Sequence, residues 1–357
     1  MPYCWKCGSK LEEEAKYCHV CGASVGQPSA GRPSQTPSSL RRRTWSPAIM
    51  LAVVLVGILI VGIIVSVFVF LPVQQVNLSR SEQVLGESGV RGVSLNMTAD
   101  VSSFNVTFAD LNGRVMTMNV TATGGVGAFA PSDPVNVTVN HVRSGHTIQV
   151  DARIERNGVW WPMLGGLNVV CDVQVERSLN VTLNIKTGVG RVVLLASSGV
   201  VLDSLNLETA TGGAEASLGR NVFVKGNVTI LSTTGGANLN WDNAKVGDDV
   251  SVTVKTTTGG VGVDIAEDSS MNHNVTLNAE TVTGGVDFSM MIQDSVGAQV
   301  NSSTVVGGVN TNLTRFSGPT SSLRSENYPS ASNFAVTLKT TTGGISVDAT
   351  YEPGQHM

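Results

Sequence analysis

The chain has 357 residues, of which 5% are aromatic and 14% charged; it carries 39 glycines and a net charge of −4. This length allows two or more domains, and few charges with many β-branched residues and abundant glycine fit a repetitive all-β protein better than an ordinary enzyme. Residues 1–47 hold seven Lys/Arg against three Glu, leaving 16 against 24 for the remainder; a body this acidic excludes nucleic acid as its expected partner.

Residues 1–26 contain two Cys-x2-Cys knuckles, Cys4-Trp5-Lys6-Cys7-Gly8 and Cys18-His19-Val20-Cys21-Gly22. Each pair can place two thiolates on one ion, and four sulfurs suit tetrahedral Zn²⁺. The segment resembles the short zinc-ribbon modules at the N-termini of many prokaryotic membrane proteins. That resemblance implies one structural zinc on Cys4, Cys7, Cys18 and Cys21; His19, between the ligands, reads as exposed and not coordinating. Two disulfides or a redox pair are the alternatives. A reducing compartment disfavours the first, and the lack of a βαβ context disfavours the second. All four positions are cysteine, so no open site for a reacting water is expected.

Residues 27–47 read as a flexible linker rich in Pro, Ser and Gly, ending in the basic stop Arg41, Arg42 and Arg43. Residues 48–71 run for 24 positions without a charge. At about 1.5 Å per residue they predict a transmembrane helix through a hydrocarbon layer of about 30 Å. A cleaved signal peptide would be shorter and would start earlier. The next basic residue beyond the run is Arg80. The positive-inside rule therefore predicts a cytoplasmic N-terminus and an extracellular C-terminal region in a single-pass cell-membrane protein.

Residues 72–114 are read as a membrane-proximal β segment, and residues 115–352 as the repeat domain. Gly-Gly pairs begin at Gly124, Gly212, Gly235, Gly259, Gly284, Gly307 and Gly343, with Gly188-Val189-Gly190 as a degenerate eighth copy. From Gly212 to Gly307 the first glycines fall 23, 24, 25 and 23 residues apart. Each unit reads as strand, turn, strand. Val252, Val254 and Thr256 alternate with Ser251, Thr253 and Lys255; after the glycines Val261, Val263 and Ile265 alternate with Gly262 and Asp264. That period of two gives each strand one buried face. The pattern fits hairpins of an ordinary β-sandwich. The fixed period favours a single-stranded β-solenoid of about 24-residue repeats instead. Residues 128–170, with Trp160, Trp161 and Pro162, break the pattern and read as an insertion; residues 353–357 form a tail.

The run from Cys171 to Leu195, followed by T-x-T-G-G units, resembles an adhesin-like family of bacterial and archaeal β-solenoid domains. The resemblance covers about residues 115–350. It implies a fold and a surface role, and it brings no catalytic motif. Cys171 sits in an apolar strand and is expected to be an inert core thiol.

Ten Asn-x-Ser/Thr sequons lie after the apolar run and none before it: Asn77, Asn96, Asn105, Asn119, Asn136, Asn180, Asn227, Asn274, Asn301 and Asn312. They are candidate glycosylation sites, although a strand with an Asn/Thr outer face generates such triplets by alternation alone. Asp264, Asp287 and Asp348 follow glycine pairs and read as solvated outward charges; a calcium-binding solenoid would need a tandem nonapeptide. These readings predict a non-enzymatic, membrane-anchored surface protein, structural or adhesin-like, with a glycan or protein ligand outside. An envelope sensor contacting a cytoplasmic protein through the ribbon is the alternative, and a carbohydrate-active enzyme is a third.

Overall fold

The computed structural model describes residues 3–4, 6–12, 15–25, 46–70, 74–126, 133–157, 166–268, 271–293 and 295–353. It divides into two units, Met1–Ser66 and Val67–Met357. Residues 27–45 of the expected linker, with Arg41–Arg43, and Trp160, Trp161 and Pro162 lie outside the described residues, whereas Pro47 opens the helix.

Helix α1 spans Pro47–Phe70. Leu, Ile, Val and Ala carry it, and no charged residue occurs in its first or last turn. Its large apolar side chains from Ile49 to Ile63 are each 51–63% exposed. Among the described residues no helix is long and apolar enough to cross a membrane; the side chains of α1 are described without a break only over residues 47–63.

The second unit is built of strands. In chain order they are β1 (Gln74–Leu85), β2 (Gly92–Val101), β3 (Ser103–Ala109), β4 (Arg114–Val126), β5 (Val135–Ser144), β6 (Thr147–Arg156) and β7 (Leu167–Glu176). Next come β8 (Asn180–Val189), β9 (Val192–Ala196), β10 (Val201–Thr211), β11 (Ala214–Leu218), β12 (Phe223–Val224), β13 (Val228–Thr234) and β14 (Ala237–Asp242). Then follow β15 (Lys245–Val246), β16 (Val250–Thr258), β17 (Val261–Glu267), β18 (Val275–Thr283), β19 (Val286–Gln293) and β20 (Val296–Val306). The series closes with β21 (Val309–Thr314), β22 (Phe316–Ser317), β23 (Ser322–Ser325), β24 (Ser332–Thr342) and β25 (Ile345–Glu352).

These strands make two sheets. One has eleven strands in the order β1-β4-β7-β3-β9-β11-β14-β17-β19-β25-β21. The other has fourteen, running from β22, β23 and β20 through β24, β18, β16, β13, β10, β8, β2 and β6 to β5, with β12 and β15 to one side. Each strand–turn–strand unit gives one strand to each sheet, and successive units pair in parallel. Residues at matching positions therefore stack in columns about 4.8 Å apart. One column runs Ala214, Ala237, Val261, Val286, Ile345, Val309. The alternation read from sequence fixes which side is buried: Val261, Val263 and Ile265 are 3% exposed or less, whereas Asp264 between them is exposed. A single apolar cluster runs the length of the stack.

Layer order and chain order differ at both ends. Along the stack the units are β6/β7, β2/β3, β8/β9, β10/β11, β13/β14, β16/β17, β18/β19, β24/β25 and β20/β21. The first unit in the chain sits second from one end, because β2 pairs with both β6 and β8. The last unit sits second from the other end, because β24 pairs with both β18 and β20. Three readings are corrected by this. Residues 92–109, assigned to a membrane-proximal segment, are a full layer of the stack. Part of the supposed insertion, β6, is one half of another, with β7 as the other half. Gly124-Gly125 is not a turn between layers but lies inside β4, which pairs antiparallel with β1 and β7.

The turn column shows why glycine recurs. Gly259 has φ +140°, and a Cβ there would lie 2.1 Å from the carbonyl oxygen of Gly235 in the next layer. No side chain fits so close a backbone approach. Three residues upstream, the buried Thr256 hydroxyl donates to that same Gly235 oxygen at 2.9 Å. Thr187, Thr209, Ser232, Thr281, Thr340 and Thr304 donate likewise, each to the turn carbonyl of the neighbouring layer at 2.9–3.1 Å. The motif is thus a hydroxyl and a glycine that seal one layer onto the next.

Candidate metal centre

The ribbon is two copies of one knuckle. In the first, Cys4 N–H donates to Ser9 O and Gly8 N–H to Cys4 O, both at 2.8 Å. In the second, Cys18 N–H donates to Ala23 O and Gly22 N–H to Cys18 O, again at 2.8 Å. Gly8 and Gly22 take φ of +72° and +70°, which glycine reaches without strain. Antiparallel bridges Tyr3–Lys10 and Tyr17–Ser24 close the two loops. Leu11 packs with Cys4 and Cys18 in a small cluster completed by Ala23 and Val25.

The knuckles bring all four predicted thiols together, with every Sγ within 4.8 Å of the others. Cys4–Cys21 and Cys7–Cys18 are each 3.7 Å apart. A tetrahedron with metal–sulfur bonds of about 2.3 Å has edges of about 3.8 Å, so the site fits zinc. Ser9 Oγ lies 3.1 Å from Cys7 Sγ and 3.2 Å from Cys18 Sγ. It is the chief cause holding the Cys7 thiol below its ordinary value and, with the amides of Cys21 and Val20, holding Cys18 at about 5. Cys21 goes the other way, to about 12: the Ala23 amide favours its thiolate, but the Cys7 thiol, burial and the other two sulfurs outweigh it. Four crowded sulfurs resist four negative charges, and a divalent cation at their centre would relieve that resistance. None of the five cysteines is in a disulfide, and His19 is exposed. Cys171 is buried in the core, where desolvation pushes its thiol up, so it is inert.

The sequon asparagines separate by environment. Asn77, Asn119, Asn136 and Asn227 are exposed. Asn105, Asn274 and Asn312 are exposed but bonded through their side chains, to Asp172, to the Asn333 amide and to Asp348. Asn96, Asn180 and Asn301 are half-buried. Asn96 belongs to a ladder that the sequence did not reveal: Asn206 Nδ2 donates to Asn184 at 2.7 Å, Asn184 to Asn96 at 2.8 Å, and Asn96 to Asp151 at 3.0 Å. Asn184 and Asn206 are one repeat apart, but Asn96 is 88 residues from Asn184 and 55 from Asp151, and only the layer order aligns it with them. Asp264, Asp287 and Asp348 are exposed, and Ser289 stands between Asp264 and Asp348 in their column.

A zinc-ribbon domain model matches residues 3–25, so the N-terminal module is a zinc-ribbon domain. No curated protein matches the sequence. Among solved structures, a candidate cell adhesion protein from Clostridium sporogenes is 14% identical with a TM-score of 0.37, over 77% of this chain and all of that one. Candidate adhesins from Bacteroides fragilis (12% identical, TM-score 0.26, covering 77% and 98%) and Parabacteroides distasonis (12%, 0.24, 76% and 97%) are similar over the same extent. Likeness at this level carries no argument about fold or function here.

Proposed function

We propose that this chain is a membrane-anchored surface protein without catalytic activity. Its parallel stack acts as a β-solenoid structural or adhesin-like module outside the cell, and its ribbon holds one structural zinc through Cys4, Cys7, Cys18 and Cys21 inside. The observation that carries this reading is α1: a 24-residue apolar helix whose described side chains are exposed on every face. Water is a poor solvent for such a surface, and lipid is a good one. The Arg41–Arg43 cluster before it, with no basic residue after it until Arg80, orients the chain with the N-terminus in. The outer faces of the stack, rich in Thr, Asn and Ser, offer hydrogen bonds to a glycan or a protein. Of the sequons, Asn77, Asn119, Asn136 and Asn227 are the positions a glycan would reach.

Protease applied to intact cells tests the topology. The expected outcome is digestion from the C-terminal side with an epitope in residues 1–40 spared. Loss of that epitope from unbroken cells would refute the arrangement.

A further inference from the structure

Among the described residues five strands have one strand neighbour, and four of these edges are guarded, the two-residue β15 with its Lys245 being one. Edge strand β1 carries Arg80 and Glu82, β5 carries His141 and Arg143, and β22 is only two residues long. Charges and short length are the ordinary defences of an edge against pairing with another chain. The fifth edge, β21, has the sequence VNTNLT with no charge and no proline. Among the described residues its sole strand neighbour is β25. Beside it Val305 and Val306 are 76% and 60% exposed, and Val309 and Leu313 only partly cover the end of the core.

The backbone of β21 decides what it can accept. Ile345 N–H donates to Gly308 O, and Val309 is opposite Ile345 in the parallel register. In such a ladder alternate residues bond to the same neighbour. Positions 308, 310, 312 and 314 are therefore committed to β25, while the N–H and C=O of Val309, Thr311 and Leu313 face outward. These three residues are self-complementary about Thr311. In an antiparallel pair of two copies, Thr311 meets Thr311 and Val309 meets Leu313, each pair exchanging two hydrogen bonds. The same register sets apolar Val309 against Leu313 on the core side, and neutral Asn310 against Asn312 on the other.

We propose that β21 is a homotypic docking edge, pairing antiparallel with β21 of a second copy to join two stacks end to end. β1, the first strand after α1, is the opposite edge of the same eleven-stranded sheet, ten strand spacings or about 48 Å away.

Light scattering on the full chain in detergent tests the pairing without reference to topology. The expected mass is twice 37.3 kDa, falling to one copy in Thr311→Pro, with dimer affinity weakened about tenfold or more. Proline at 311 removes an outward N–H and leaves every bond to β25, so the stack should keep its melting profile. Should that variant misfold, a charge pair decides. Asn310→Lys with Asn312→Lys should separate the copies, whereas Asn310→Asp with Asn312→Lys should restore them, since the two positions face each other across the dyad. A monomeric wild type, or a dimer indifferent to all these changes, overturns the proposal.

Discussion

At the scale of single residues, the stack is specified by a hydroxyl and a glycine rather than by hydrophobic content alone. Thr256 and Thr257 are neighbours of the same type, yet Thr256 is 4% exposed and donates to Gly235 O, while Thr257 faces solvent. Thr256→Val keeps the volume but strips a half-buried carbonyl of its donor, at about 1–2 kcal/mol. Thr257→Val should fall within about 0.5 kcal/mol of wild type. Gly259→Val should be the most damaging, about 3 kcal/mol or more, because it combines a positive φ with a backbone collision at 2.1 Å. Urea denaturation ranks the three, and equal midpoints for the two threonine variants would show that the hydroxyl column is not structural.

At the scale of elements, the ribbon is the part whose folding a ligand should control. Its described core is Leu11, two cysteines and the partial cover of Ala23 and Val25, too little apolar surface to fold a segment of this size. One zinc per chain is expected by metal analysis. Cys18→Ser should abolish zinc binding and unfold the knuckles while the stack melts unchanged; a coincident loss of both would mean that the ribbon is not an independent element. This site was legible in the sequence because knuckle geometry is local: two residues and a glycine decide where each thiol pair points. Strand faces were legible for the same reason, since alternation at Val261, Val263 and Ile265 is a property of one segment. The charged rung in which Glu280 meets Lys255 at 2.9 Å and Lys339 at 3.8 Å was not legible. It joins β16, β18 and β24, and β24 arrives there only through the layer order. Lys255 first, then Lys339, holds the Glu280 carboxyl below its usual range.

At the scale of the whole molecule, the sequence period implied layers stacked in the order of synthesis, and that is where it misled. Nothing in residues 296–314 marks them as an end layer, and nothing in residues 332–352 marks them as an inner one. The choice rests on non-local fits such as Val336 between Leu277 and Val300, which a single strand cannot announce. The tucked unit also changes what residues 332–352 do. In a sequential array, removing the last repeat shortens the array by one. Here it withdraws a keystone: β18/β19 and β20/β21 lose their shared neighbour together, and two apolar layers face a gap. A chain stopped before residue 326 should therefore fail as a whole, with soluble yield and cooperative melting lost rather than trimmed; a stable shortened product would show that the outer layer can slide inward to close the gap. The arrangement makes residues 332–352 a condition of assembly, because the unit that wedges between β18/β19 and β20/β21 follows both of them in the chain.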